Sequence, residues 1–210
     1  MKRTRTLACL LSVAGLALAG AAVAQEPKKP ATPKKAEVAK KAEAPKAAEA
    51  PPEPPKPGPE HNILKQDAGT WDATVEMTQG PGQAPMVSKG VEINTLLGGG
   101  LWLVTDFKSD MMGQPFEGHG ISGYDSGQRK YVSTWVDSWS TGLSSGQSTY
   151  DAAARKMTGW MEGPDMTGQI SRTTMVTEWK DLDTRVFTMS GPGPDGKEFA
   201  GLKITYKRRK

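Results

Sequence analysis

From residue 69 to the end of the chain, apolar and polar side chains alternate along short segments. Trp71, Ala73 and Val75, for example, fall on one face of the segment 71–79. Such alternation is typical of β-strands with one buried face. About ten segments qualify, and the predicted strands are 71–79, 86–97, 101–109, 116–124, 130–137, 146–151, 156–162, 169–179, 185–190 and 199–207.

The predicted strands are joined by short, turn-forming connections such as Gly98-Gly99-Gly100 and Asp125-Ser126-Gly127. Short connections favour antiparallel neighbours, and no segment after Ala68 has a helical period. Antiparallel strands must protect their edges, and closure into an up-and-down barrel does so. We therefore predict an all-β, ten-stranded antiparallel barrel whose interior has room for a small ligand. A two-layer sandwich is the alternative.

A short helix is predicted just before the first strand, over residues 60–68. Gly69 follows it and fits the left-handed position that often ends a helix. The predicted barrel domain, with this helix at its start, covers residues 60–210.

The first 24 residues have the pattern of a signal peptide. Lys2, Arg3 and Arg5 precede an apolar run over residues 7–23, and Ala22-Val23-Ala24 offers small residues for cleavage before Gln25. The run is short and rich in Gly and Ala for a membrane anchor, which needs about 20 apolar residues. We predict export to the periplasm or the medium, with no transmembrane segment after cleavage. Cys9, the only cysteine, leaves with the signal peptide.

Residues 25–59 are nearly free of large apolar side chains and end in a proline-rich stretch. Such a composition cannot bury enough surface to fold, so we predict a disordered linker. It is either a spacer or an arm that contacts the cell envelope.

The formal charge of +4 divides into +3 for the signal peptide, +3 for the linker and −2 for residues 60–210. The domain therefore lacks the basic field typical of nucleic-acid binding.

Gly69-Thr70-Trp71 resembles the G-x-W signature of lipocalins. In that superfamily the tryptophan plugs one end of the barrel, and an arginine of the last strand packs over it. The resemblance implies this structural pair for Trp71 and either Arg208 or Arg209.

Four further blocks carry a second resemblance, namely residues 111–120, 123–125, 131–138 and 195–199. They are similar to a bacterial family of exported proteins known as domain of unknown function 1579. The resemblance covers roughly residues 60–208, and it implies a lipocalin-like barrel with no established activity. The related haem-binding nitrobindin barrels use a histidine near the chain end, and this chain has none after His119.

Candidate ligand-binding residues lie on two of the middle strands. Glu117 and His119 share one strand face, because side chains repeat every second residue. Tyr131, Trp135 and Asp137 share a face of a later strand. We predict that these five residues line the cavity. If Asp137 is buried, its carboxylate needs a polar partner, and the candidates are His119 and Arg172. The alternative for His119 is a purely structural role.

Metal sites and a catalytic serine have little support in the sequence. The two histidines are too few for a three-ligand zinc site of the usual kind, and the ten methionines are dispersed rather than arranged for copper. Gly142-Leu143-Ser144-Ser145-Gly146 matches G-x-S-x-G, but that motif works on a strand-to-helix turn. We predict no metal site and no catalytic residue, and the sequence specifies no cofactor.

Three classes of function stay open. The first is a binding module that holds a small apolar or amphipathic molecule in the barrel. The second is a structural or interaction protein of the envelope with no bound ligand. The third is an enzyme that uses His119 with a carboxylate. A hollow interior lined by Trp135 and His119 would favour binding or catalysis over the second class.

Overall fold

Ten β-strands make up most of the described chain. The computed structural model describes residues 53–165, 167–193 and 196–210; the predicted signal peptide and residues 25–52 of the predicted linker lie outside them. The strands are β1 (Gly69–Met77), β2 (Met86–Leu97), β3 (Trp102–Met111), β4 (Gln114–Asp125), β5 (Lys130–Asp137), β6 (Ser144–Asp151), β7 (Lys156–Pro164), β8 (Ile170–Trp179), β9 (Thr184–Pro192) and β10 (Glu198–Arg208).

The strands form one closed antiparallel barrel. Each strand pairs with the next along the chain, and β1 also pairs with β10, with Trp71 opposite Arg208 and Met77 opposite Leu202. The predicted up-and-down barrel is confirmed, and the sandwich alternative is wrong. Each predicted strand overlaps an observed one, because the turn residues between them set where each strand ends.

One end of the barrel is covered by a short helical segment. A 3-10 turn at Pro59–His61 leads into α1 (Asn62–Asp67), which confirms the predicted helix. Ile63 and Leu64 are buried in a cluster that includes Tyr131 of β5 and Trp179 of β8. We call this the closed end, and the opposite end, where β1 finishes, the mouth. In the described ranges no helix is long and apolar enough to cross a membrane.

Trp71 is fully buried next to the closed end. The guanidinium of Arg208 lies 4.1 Å from its ring centre and donates to the backbone oxygens of Ala68 (2.7 Å) and Gln66 (2.5 Å). Of the two arginines named above, Arg208 therefore lies over the tryptophan. Arg209 bonds Asp72, which lies on the outer face.

Gly69 lies just past the helix end and has a positive φ, as predicted, and it also begins β1. Ala68 is extended and closes α1, while Gly69 has a φ of 121°. A Cβ atom at Gly69 would lie 2.9 Å from the Arg208 guanidinium. The close approach of Arg208 and the positive φ together account for glycine at this position.

Gly118 and Gly120 of β4 face the interior, where the indole of Trp135 crosses them. A Cβ atom at Gly118 would lie 2.1 Å from the Trp135 ring, and one at Gly120 would lie 2.9 Å from it. These glycines therefore make room for a cavity-lining tryptophan.

We expect Gly118→Ala to destabilise the protein by about 1–3 kcal/mol, because the new methyl group overlaps the Trp135 ring. Chemical denaturation of the two proteins measures this difference. Gly191→Ala is the matched control, since the new Cβ would lie 3.5 Å from Thr173, an ordinary contact distance. Equal stability of the two variants would contradict this account of Gly118.

Candidate functional site

The interior of the barrel contains a cavity of about 560 Å³. Small residues face it in register on neighbouring strands: Ser122, Ser133 and Gly146 form one row, and Ser148 and Gly159 form part of the next. Because these side chains are too short to meet the opposite wall, the space between the walls stays open. Its volume lies within the range of small-molecule sites, about 300–1,000 Å³.

Most of the cavity wall is apolar. The lining is dominated by methionines, phenylalanines and aliphatic side chains, namely Met77, Met111, Met157, Met161, Met175, Met189, Phe107, Phe116, Phe187, Leu202 and Ile204. Methionine is flexible and polarisable, so such a wall can adjust to the shape of an apolar guest. The middle of the cavity is suited to an apolar molecule or to the apolar part of an amphipathic one.

A buried polar group, which we call the Arg185 cluster, lies in the cavity wall toward the closed end. It consists of Asp67, Glu92, Asn94, Arg185 and Tyr206, all buried and all lining the cavity. Arg185 donates from Nη2 to Oε1 of Glu92, and its Nε lies 3.4 Å from Oδ1 of Asp67. One guanidinium therefore faces two carboxylates.

Neutral side chains complete the cluster. Asn94 donates from Nδ2 to Oε1 of Glu92 (2.6 Å) and to the backbone oxygen of Asp67 (3.1 Å), while its Oδ1 accepts from Thr105 (2.7 Å). Trp179 donates from Nε1 to Oδ1 of Asp67 (2.8 Å). Asp67 at the end of α1 is thus bonded to side chains of β2 and β8.

Burial dominates the electrostatics of the Arg185 cluster. It raises the pKa of Asp67 above the usual range, although Arg185 acts in the opposite direction, and it also raises the pKa of Tyr206. Burial alone would lower the pKa of Arg185, but Asp67 and Glu92 outweigh it and raise that pKa. Arg185 is therefore charged, and its guanidinium also lies 3.9 Å from the ring centre of Tyr206 and 5.0 Å from that of Trp71.

Three of the five predicted site residues line the cavity: Tyr131, Trp135 and Asp137. Asp137 accepts from the indole of Trp135 (3.0 Å) and from the backbone N–H of Trp139 (2.9 Å), so the expected partners, His119 and Arg172, are replaced by these two.

Tyr131 lies at the closed end, away from Asp137. It donates to the backbone oxygen of Glu60 (2.8 Å), and burial, with a smaller effect from Glu60, raises its pKa to about 12. It therefore holds the segment before α1 against the barrel as a neutral hydrogen-bond donor.

Glu117 and His119 do share a strand face, but it is the outer one. His119 pairs through Nδ1 with Asp106 (2.8 Å), and Glu117 pairs with Lys108 (2.9 Å), all of them exposed. The alternation of β4 requires this, because Gly118 on the same strand faces inward against Trp135. The expectation that they line the cavity is corrected accordingly. In the described ranges, no group of three His, Cys, Asp or Glu side chains could hold a metal ion.

The Arg185 cluster was not predicted from the sequence. The apolar pattern of Val91, Ile93 and Leu97 on β2 favours an inward Ile93, whereas the structure exposes Ile93 and buries Glu92 and Asn94. The sequence of β9 contains a signal for this cluster. Arg185, Phe187 and Met189 are alternate residues of the strand and therefore share its inward face. A charged residue in phase with apolar ones is a candidate for a buried functional group.

We expect the raised pKa of Asp67 to give a specific pH dependence. The folded protein binds this proton more tightly than the unfolded chain, so the contribution of Asp67 to stability is largest below about pH 4 and declines as the pH rises through the raised pKa. The free energy of unfolding of wild type minus that of Asp67→Asn should therefore fall from about pH 4 to about pH 8.

Denaturant titrations over this pH range measure the difference. Asp72→Asn is the control, because the bond from Arg209 lowers the pKa of Asp72. Its contribution is lost only as the pH falls below about 4, so its difference should stay nearly constant over this range. A difference for Asp67→Asn that rises with pH would show that the pKa of Asp67 is lowered instead.

One solved structure is similar enough in fold to support this architecture. The structure of Rv2717c from M. tuberculosis superposes with a TM-score of 0.55 at 12% identity, over 73% of this chain and 99% of that one. A redesigned beta barrel, b11L5F_LGL, gives a TM-score of 0.37 at 14% identity, over 70% of this chain and 95% of that one. No curated protein matches the sequence.

The family model described as "Protein of unknown function (DUF1579)" matches residues 56–208. This match spans most of the chain and includes the helical segment, all ten strands and the cavity between them. The protein therefore belongs to the DUF1579 family.

Proposed function

We propose that this protein binds a small amphipathic molecule inside its barrel. The observation that carries the proposal is the cavity of about 560 Å³, which combines an apolar middle with the polar Arg185 cluster toward one end. An apolar body would be removed from water along the methionine and phenylalanine wall, at about 25 cal/mol per Å² of buried apolar surface. The buried polar groups would fix its orientation.

The cavity reaches the surface at the mouth. Trp139 and Asp165 belong to its lining and are exposed, and they lie in the connections that follow β5 and β7. A ligand could enter between these connections without opening the strand pairing. The closed end is covered by Ile63 and Leu64 of α1.

An interaction role is the second candidate, and exposed apolar side chains support it. Ile121 and Val136 project from the outer surface of the neighbouring strands β4 and β5, and each is more than a third exposed. Exposed apolar patches often mark contact sites. The enzyme alternative has no comparable support, because His119 lies outside the cavity and pairs with Asp106.

We also propose that the protein acts outside the cytoplasm, after export. The support is the sequence pattern of residues 1–24, with its basic start, apolar run and Ala-Val-Ala end. The proline-rich segment that follows would then be the first part of the mature chain, as a spacer or as an arm in contact with the envelope.

To test binding, Ser148→Phe should fill the cavity and weaken the uptake of an uncharged, environment-sensitive fluorescent probe by about tenfold or more. Ser148 lines the cavity, whereas its neighbour Thr149 is exposed on the outer face. Thr149→Phe is therefore the matched control and should bind like wild type. Equal binding by the two variants, with both folded by circular dichroism, would show that the probe binds elsewhere.

To test export, the protein can be expressed in a bacterial host and its mature N-terminus determined by mass spectrometry. We expect the chain recovered from outside the cytoplasm to begin at Gln25. Ala24→Arg should block cleavage, since the processing enzyme requires small residues there. Recovery of the exported chain with Met1 still present would contradict the proposed cleavage.

A further inference from the structure

The cavity lining carries an excess of negative charge. Among the described residues that line it, four are carboxylates and one is a guanidinium, a formal charge of −3, and none is a lysine or histidine; the charged members are Asp67, Glu92, Asp137, Asp165 and Arg185. Asp165 is fully exposed at the mouth, where water screens its charge. Asp67 and Glu92 are buried, where charge interactions are strongest.

Arg185 is paired with both of these acids, although its Nε makes no hydrogen bond within the described ranges. Its guanidinium bonds Glu92, approaches Asp67 within 3.4 Å and packs against the ring of Tyr206. A ligand carboxylate placed here would be the third carboxylate around one guanidinium. Like charges at such distances oppose one another strongly, so the cluster disfavours an anionic head group.

The cluster instead lacks one positive charge. The positive charge of Arg185 balances the negative charge of Glu92, so the negative charge of Asp67 is left unbalanced. Trp179 and Arg185 both approach this carboxylate at Oδ1. Arg208 also acts on Asp67, but it lies over Trp71 and is paired with Asp183 at 3.3 Å, so its charge is already balanced. A proton can balance the surplus charge, which agrees with the raised pKa of Asp67. A ligand ammonium group, with its three N–H donors, would balance it equally well.

The aromatic rings in this part of the wall add no second cation site. Trp179 presents its N–H edge to Asp67, and the face of Tyr206 is occupied by Arg185. The ammonium group therefore depends on the carboxylate of Asp67 for its binding. The apolar body of the same molecule would extend toward the mouth along the methionine wall.

We infer that the cavity selects a lipophilic amine, a molecule with an apolar body and one ammonium group that lies beside Asp67. This inference rests on the proposed binding function and specifies the head group that the site takes. Binding is non-covalent, and the ammonium group replaces the proton on Asp67 as the balancing charge.

The test uses three probes with the same alkyl chain and different head groups: dodecylamine, dodecanol and dodecanoate. Near neutral pH the amine is a cation and the carboxylate an anion. Each is titrated against the full-length protein loaded with the uncharged fluorescent probe. We expect dodecylamine to displace the probe at about tenfold lower concentration than dodecanol, and dodecanoate to be the weakest.

Asp67→Asn should remove the preference for the amine, measured as the ratio of the dodecylamine and dodecanol concentrations that displace half of the probe. The asparagine keeps an oxygen that can accept from Trp179, so the geometry at the closed end is retained. Asp137→Asn is the matched control at the mouth and should keep the preference, because the buried surplus charge is unchanged.

Each outcome has one meaning. If dodecylamine is no better than dodecanol, or dodecanoate is as good as dodecanol or better, the inferred cation selectivity is wrong while the binding function stands. If Asp67→Asn keeps the preference for the amine, the ammonium position is wrong. If no alkyl compound displaces the probe, the proposed binding function fails. Should Asp67→Asn not fold, the rank order on the wild-type protein still decides the selectivity.

Discussion

The pairing of β1 with β10 is the interaction on which the rest of this structure depends. It joins the first and last strands of the domain and leaves no free edge in the sheet. Trp71 and Arg208 stand opposite each other in this pair, and the arginine bonds the chain that leads from α1 into β1. The same contact therefore closes the barrel and fixes the helical segment at its end. An enclosed cavity exists only because both are in place.

A hollow barrel loses packing that a filled core would have. Protein interiors are normally close-packed, and side chains that line a void lack partners on one side. Here the loss is concentrated near β4 to β7, where serines and glycines face inward. On the other side of the barrel, Trp71, Val75 and Phe107 belong to a tightly buried cluster. The division into a packed wall and an open wall is what one expects of a barrel shaped around a guest.

The Arg185 cluster is the least expected part of the interior. Removing two carboxylates and a guanidinium from water is costly, and replacement of such groups by apolar residues is often neutral or stabilising. The cluster is held by hydrogen bonds from Asn94 and Trp179 and borders the cavity rather than the packed core. Such a polar group at the wall of a cavity supports the proposed binding of an amphipathic molecule.

The sequence by itself determined the strands, the short helix and their antiparallel order. These depend on local alternation and on turn residues, which act over a few positions of the chain. Only the tertiary structure decided which strand face turns inward and where the interior stays open. The orientation of β4 depends on Trp135, a residue of the next strand, and the Arg185 cluster joins residues from α1, β2, β9 and β10. Burial and charge balance are properties of residues brought together across the barrel, so no single segment of the chain contains them.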